Sequence, residues 1–196
     1  MSAALKRNLI SVEDYLTGEL LSPIKHEYLG GVVHAMAGAR IGHNRIKGNT
    51  FGSLFVRLRG KRCQPFDSNT KIRINYHGQN RFYYPDVSMI CRSNPPDELF
   101  QDEPVAIVEV LSKTTRRTDL SEKKDAYLTI PSLQVYVLIE QESPLAVAFR
   151  RTGSGFVREV YDGLDAVIAL PEIDAELALA EVYEGVEFVP EPDEEE

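Results

Sequence analysis

The sequence has no tryptophan and only two cysteines, and it has no long apolar run. Cys63 and Cys91 form no CxxC pair and have no histidine at zinc-ligand spacing, so neither a zinc site nor a disulfide is expected. Pro104–Leu111, one of the longest apolar runs, falls far short of the roughly 20 residues that a membrane helix needs. No apolar segment follows the charges of residues 1–10, so we expect no signal peptide, no membrane partner and a cytoplasmic protein.

Positive charge is missing from the last part of the chain. The formal net charge is −8, from 22 basic and 30 acidic residues. Residues 159–196 contain 14 of the acids and no Lys or Arg, which leaves 22 basic against 16 acidic residues, a net charge of +6, over residues 1–158. A basic body can bind a phosphate backbone, although lysines and arginines on an ordinary solvated surface give the same count. The candidates for contact with a DNA backbone are Arg57, Arg59, Lys61, Arg62, Arg116 and Arg117. We assign residues 1–188 to a single domain and residues 189–196 to an acidic tail that we expect to be disordered.

Apolar periodicity and turn residues predict a mixed architecture. Ser11 is a suitable N-cap for the first helix, and Gly30–Gly31 separates two short strand-like runs as in a hairpin. The order of elements predicts an α+β or α/β domain with one mixed sheet. Helices are predicted at residues 11–20, 39–59, 119–129 and within 175–184, and strands at 26–36 (as a hairpin), 71–75, 81–91, 105–111, 135–140, 146–150 and 157–161.

Two carboxylates stand out because each lies in an apolar strand. Glu109 is surrounded by the run PVAIVEVL, which is typical of a central strand buried on both faces. A carboxylate in such a place loses its solvation and needs a partner, either an arginine or a metal ion. Asp86 begins the apolar run DVSMI after a proline, where a simple turn or strand-edge role is the alternative.

Paired carboxylates on adjacent strands suit a hard divalent cation. Mg²⁺ takes one or two protein carboxylates and keeps waters and substrate phosphate oxygens as its other ligands. A metal held in this way polarises a phosphodiester and lowers the pKa of an attacking water. The separation of Asp86 and Glu109 is only moderately specific for such a site, since many proteins contain two acids at a similar distance in sequence.

A family resemblance makes this interpretation specific. A proline-aspartate pair followed by a strand with a glutamate is similar to the signature of the PD-(D/E)XK nuclease superfamily. The segments YPDVSMI and PVAIVEVLSKTTRRTDLSEKKDAYL resemble one bacterial branch of it, the Uma-two family of restriction-endonuclease domains. HEYLGGVVHAMAGARIGHNRIKGN and ALPEIDAELALAEVY resemble the same family, so that the resemblance covers roughly residues 10–188.

The resemblance implies roles for particular residues. Asp86 and Glu109 match the two metal-binding acids, and Glu27 matches an acid that helps to hold metal or water. The superfamily lysine normally stands two residues after the glutamate, but that position is Leu111 here. Lys123 matches a lysine that has moved to the following helix, where it shares a face with Asp119 and Tyr127 at i, i+4 spacing. The alternatives are Lys113, Lys124 and a solvated surface role for all three lysines. His43 stands at the start of a helix, where the family often has histidine, and a contact with substrate or a turn cap is expected for it rather than catalysis.

The resemblance also implies a fold and a function. The fold should be an α/β restriction-endonuclease-like core with a central mixed β-sheet flanked by helices. The function should be hydrolysis of DNA phosphodiester bonds dependent on Mg²⁺, for which Mn²⁺ should substitute. The alternatives are a decayed DNA-binding or scaffold protein of the same fold and a metal-dependent hydrolase of another phosphoester. A homodimer is compatible with this function because cutting both strands requires two sites.

Overall fold

The computed structural model describes residues 9–112, 116 and 119–188. Among these residues it contains thirteen strands and four α-helices, together with a π-helical turn (Asp119–Lys123) and a 3₁₀ turn (Pro171–Ile173). The helices are α1 (Val12–Leu21), α2 (Ile41–Leu58), α3 (Lys124–Leu128) and α4 (Leu179–Val182). The strands are β1 (His26–Leu29), β2 (Val32–Ala35), β3 (Gln64–Asp67), β4 (Lys71–Tyr76), β5 (Gln79–Tyr83), β6 (Val87–Ile90), β7 (Phe100–Gln101), β8 (Pro104–Val110), β9 (Val135–Ile139), β10 (Leu145–Thr152), β11 (Gly155–Asp162), β12 (Val167–Leu170) and β13 (Ala175–Ala178).

The strands form two mixed sheets and a separate hairpin, and helices flank the sheets. The first sheet has the order β2-β1-β5-β4-β7 and the second has the order β11-β10-β9-β8-β6-β3, while β12 pairs only with β13. Strands β8 and β9 run parallel, whereas the other neighbours in the second sheet are antiparallel. The predicted α/β class with mixed sheets and flanking helices is confirmed, but the strands are divided among three sheets.

Strand β8 lies at the centre of the second sheet and separates two apolar layers. Ala106, Val108 and Val110 belong to the layer that packs against α2 and the β12–β13 hairpin. Ile107 and Leu111 point to the other layer, which the first sheet and α3 complete. Side chains alternate along a strand, so Glu109 shares the face of Ile107 and Leu111. The glutamate therefore enters the apolar layer between the two sheets.

Several predicted elements differ from the observed ones. The strand predicted at residues 81–91 is divided into β5 and β6, which belong to different sheets, and Pro85 lies in the break between them. Proline cannot donate a ladder hydrogen bond, which explains the interruption. The helix predicted within residues 175–184 is instead strand β13 followed by the short helix α4. The helix predicted at 119–129 begins with the π-helical turn.

The two cysteines are joined, contrary to the expectation of no disulfide. Cys63 precedes β3 and Cys91 follows β6, and these strands are antiparallel neighbours in which Gln64 opposes Ile90. The strand pairing thus brings together cysteines that are 28 residues apart in sequence, a contact that spacing alone does not reveal. Within the described ranges, no helix has the length and apolar character needed to cross a membrane.

Candidate active site

The register between β6 and β8 brings the two predicted metal-binding acids together. Val87 opposes Val108 in this antiparallel pair, so Asp86 stands opposite Glu109 where the pairing continues. The backbone N–H of Asp86 donates to Oε2 of Glu109 at 3.2 Å, and the N–H of Val110 donates to Oδ2 of Asp86 at 2.8 Å. Each carboxylate is thereby fixed to the backbone of the neighbouring strand.

Glu109 is a buried carboxyl group surrounded by other acids. Its residue surface is only 4% exposed. Burial raises the pKa of Glu109 well above its ordinary value, Lys123 lowers it, and the carboxylates of Asp86, Asp119 and Glu27 raise it further. Four carboxylates and one ammonium therefore influence one another in this part of the molecule, an excess of three negative charges when every group is ionised.

Lys123 supplies the ammonium of this cluster. Its Nζ lies 2.8 Å from Oε1 of Glu27 and 3.6 Å from Oδ1 of Asp119. Burial alone would lower the pKa of Lys123, but the carboxylates of Glu109, Glu27 and Asp119 outweigh burial and hold this pKa above its ordinary value. Lys123 thus stays protonated although it is only 7% exposed. The structure brings all four predicted site residues, including Glu27 on β1, into one cluster.

Two further side chains contact the acids directly. Tyr127 lies one turn after Lys123 and donates its hydroxyl to Oε1 of Glu109 at 3.2 Å. His43, in the first turns of α2, places Nε2 3.2 Å from Oδ2 of Asp86. Contact between His43 and Asp86 was not predicted, and the sequence signal for this residue is its position at the start of a helix, where the family often has histidine. Its Nδ1 is buried and makes no hydrogen bond with a described residue.

The alternative lysine positions differ sharply in their surroundings. Leu111, at the usual position of the superfamily lysine, is 3% exposed and packs in the apolar layer between the sheets. The Nζ of Lys124 lies 3.8 Å from Oδ1 of Asp125 and 5.3 Å from the ring centre of Phe149, and it forms no ion pair with the described acids around Glu109. Lys113 lies outside the described residues, as do the predicted acidic tail and the DNA-contact candidate Arg117.

Several basic residues considered for phosphate contact are already paired with acids. Arg57 contacts Glu181 at 2.6 Å, and Lys61 contacts Asp174 at 2.7 Å. Arg116 forms two hydrogen bonds with Glu140. The acidic C-terminal part thus neutralises some of the positive charge of the body, which the separation of charge along the sequence did not suggest. Arg59 and Arg62 form no ion pair with a described residue.

The chain is similar in sequence to known proteins over most of its length. A family model described as "Putative restriction endonuclease", Uma2, matches residues 12–180. An uncharacterised protein of Synechocystis sp. is 31% identical over 183 residues, which cover 91% of this chain and 94% of that protein. A second uncharacterised Synechocystis protein is 28% identical over 144 residues, or 72% of this chain and 80% of that protein.

A solved structure supports the fold. The crystal structure of "a putative nuclease belonging to DUF820" from Anabaena variabilis superposes with a TM-score of 0.68 and 18% identity, covering 87% of this chain and 97% of the other. This similarity confirms the predicted restriction-endonuclease-like fold. The extent of the family match and the identity to the first Synechocystis relative establish that this chain belongs to the Uma2 family.

Proposed function

We propose that this protein is a divalent-metal-dependent endonuclease that hydrolyses phosphodiester bonds in DNA. The observation that carries the proposal is the convergence of three further carboxylates and one buried ammonium around Glu109, which the strand register holds opposite Asp86. A structural salt-bridge network would balance its charges, whereas this cluster holds four carboxyl groups and one ammonium, so that its ionised form has an excess of negative charge. An excess of this sign favours a bound cation.

The donor set fits Mg²⁺, with Mn²⁺ as its substitute. In the described part of the chain, no group of three or more His, Cys, Asp and Glu residues is arranged to hold a metal. Mg²⁺ does not need such a group, because one or two carboxylates with water and phosphate oxygens complete its ligands. Asp86 and Glu109 would be those carboxylates. Val110 and His43 both contact Oδ2 of Asp86, and Oδ1 accepts no hydrogen bond from a described residue.

The chemistry divides among the residues of the cluster. A bound divalent ion would polarise the phosphodiester and acidify an attacking water. Lys123, which is protonated and fixed by Glu27 and Asp119, can stabilise the negative charge that develops on the phosphate oxygens. Tyr127 and His43 orient the carboxylates of Glu109 and Asp86, respectively, through the contacts described above. Glu27 holds the lysine in position.

Cleavage of plasmid and oligonucleotide DNA tests this function. The wild-type protein should cut DNA with Mg²⁺ or Mn²⁺ and fail to cut in EDTA, whereas Asp86→Asn and Glu109→Gln should lose at least ~10²-fold in rate. Asp97→Asn is the matched control, because Asp97 is exposed in the loop between β6 and β8. Tight DNA binding without cleavage under any metal would identify a scaffold protein instead. Hydrolysis of a simple phosphoester with intact DNA would identify a different hydrolase.

A further inference from the structure

Three lysines near Asp86 stand outside the ion pairs described above. Lys25, Lys47 and Lys71 form no ion pair with any carboxylate of the described residues, in contrast to Arg57, Lys61 and Arg116. They occupy the residue before β1, the middle of α2 and the first residue of β4, so that three separate elements contribute them. Like charges repel, and their convergence needs a reason.

Ser68 brings two of the ammonium groups together. Lys25 donates from Nζ to the backbone oxygen of Ser68 at 2.6 Å, and Lys47 donates to its Oγ at 3.1 Å. Burial and then the neighbouring ammonium of Lys47 lower the pKa of Lys25, whereas the carboxylates of Asp67 and Asp86 raise it. The two lysines are therefore close enough to destabilise each other's charge.

Lys71 is the most unusual of the three because it is 5% exposed and makes no hydrogen bond through Nζ with a described residue. Its ammonium lies 5.2 Å from the ring centre of Tyr15 and 5.6 Å from that of Tyr84. Lys25 lies 5.5 Å from the same Tyr84 ring. Cation–π contacts offset only part of the cost of removing an ammonium from water.

The nearby acid Glu19 is already engaged. Its Oε1 accepts hydrogen bonds from the Tyr84 hydroxyl at 2.9 Å and from the backbone N–H of His26 at 2.8 Å. Its Oε2 lies 3.0 Å from Nδ1 of the same histidine. Burial lowers the pKa of Lys71, and Glu19 offsets this only in part. Both oxygens of Glu19 are thus occupied by His26 and Tyr84, and Glu19 forms no ion pair with the three lysines.

The lysine cluster adjoins the candidate active site. Tyr84, which contacts two of the lysines, is two residues before Asp86. On α2, Lys47 follows His43 by four residues, and His43 contacts Asp86. Residues four apart share a helix face, so one face of α2 supplies both the histidine and a lysine. Negative charge at Asp86 and Glu109 thus lies beside concentrated positive charge.

We propose that Lys25, Lys47 and Lys71 form a binding site for a phosphate group of the nucleic-acid strand, next to the phosphodiester that Asp86 and Glu109 would receive. That the phosphate belongs to a nucleic-acid strand rests on the proposed function. That the site binds a phosphate rests on the three lysines alone. One phosphodiester anion would bring three compact ammonium groups closer to neutrality. Binding at this second phosphate would fix the strand relative to the acids.

Binding measurements without cleavage test the site. A fluorescent 20-base-pair duplex is titrated, in EDTA and at several salt concentrations, with full-length protein carrying Asp86→Asn. Lys25→Gln and Lys47→Gln should each weaken binding at low salt, and the double variant should reduce the slope of log K against log salt by about 0.9, the value for one phosphate. Arg158→Gln should leave the slope unchanged, because Arg158 is an exposed, unpaired arginine on β11 at the far edge of the second sheet.

Thermal melting separates binding from folding. Removing one of two crowded ammonium groups should leave Tm unchanged or raise it, whereas a purely structural lysine would lower Tm when replaced. The inference is wrong if the lysine variants bind like Arg158→Gln, or if the duplex does not bind at low salt. It is also wrong if inorganic phosphate or a mononucleotide binds as tightly as the duplex, which would indicate a site for a free phosphate.

The two proposals fail in different ways. Lysine-dependent binding by a wild-type protein that never cuts DNA would refute the proposed function and support the phosphate site. If the wild-type protein cleaves DNA and the lysine variants bind the duplex as tightly as the parent protein does, only the phosphate site is refuted.

Discussion

Glu109 combines burial with neighbouring negative charge, and this has an effect on folding. Its folded-state pKa lies well above its ordinary value of 4.5. The metal-free protein is therefore most stable at low pH with respect to this group, and the contribution is lost as pH rises through the folded-state pKa. Glu109→Gln should flatten this dependence and raise the free energy of unfolding at neutral pH, which a higher Tm would show.

The measurement is thermal unfolding in EDTA between pH 5 and 8, with Glu98→Gln, an exposed loop variant, as the control. A Glu109→Gln protein that is less stable than wild type throughout this range would show that the carboxylate is a net stabilising group. Added Mg²⁺ should stabilise the wild type and not the variant, because binding to the folded state shifts the unfolding equilibrium.

Lys123 should carry the charge that Leu111 does not supply. Lys123→Ala should cost at least ~10²-fold in the cleavage rate, as removal of a positioned charge at a transition state does. Metal binding should survive, since Asp86 and Glu109 remain. Lys124→Ala is the matched control on the adjacent residue. Loss of cleavage in Lys113→Ala with full activity in Lys123→Ala would assign the role to Lys113 instead.

His43 acts on Asp86 and is expected to be a positioning residue. His43→Ala should raise the Mg²⁺ concentration needed for half-maximal cleavage by about 10–100-fold, the usual effect of removing a group that orients a metal ligand. His43→Gln should restore part of the affinity through a hydrogen bond to Asp86. An equal loss of rate at saturating and limiting Mg²⁺ would contradict a role in positioning the metal ligand.

At the scale of the elements, the apolar surroundings of Leu111, directly after strand β8, do not suit the lysine that the superfamily usually has there. Leu111→Lys would place an ammonium in the apolar layer between the sheets, so we expect a loss of about 3 kcal/mol or more in unfolding free energy. Leu111→Met conserves volume and should cost less than about 1.5 kcal/mol. Chemical denaturation of both variants measures the difference. A stable, active Leu111→Lys, Lys123→Ala double variant would show that the strand position still accepts the charge.

The elements also show which parts of the fold and of the site could be predicted from the sequence. The apolar runs around Asp86 and Glu109 identified β6, β8 and their acids, because a charge in a buried strand is visible in the residue order. Helix phase likewise placed Asp119, Lys123 and Tyr127 on one face. The division at Pro85, the disulfide and the contact between His43 and Asp86 depend on which strands and helices meet, and local patterns do not carry that information.

At the scale of the whole molecule, ion pairs between distant parts of the chain bring acidic and basic residues together, although the two kinds of charge are separated along the sequence. Acids from the C-terminal part pair with Arg57, Lys61 and Arg150, while the lysine cluster near Asp86 remains unpaired. Removal of residues 189–196 should therefore leave Tm unchanged and keep or strengthen DNA binding at low salt. Fluorescence anisotropy of the truncated and full-length proteins measures this. Weaker binding by the truncated protein would indicate that the acidic end assists the substrate.

The antiparallel pairing of Asp86 with Glu109 has a consequence for insertions and deletions. Residues 95–98 form an exposed turn in the connection between β6 and β8, so added residues there leave the pairing of the two strands intact. One residue added within Val87–Ile90 would either bulge the strand or move Asp86 by one position to the opposite face of the sheet. The length of the connection can therefore change during evolution, and the connection can carry an inserted tag. An insertion or deletion within the paired residues next to Asp86 or Glu109 would separate the two acids.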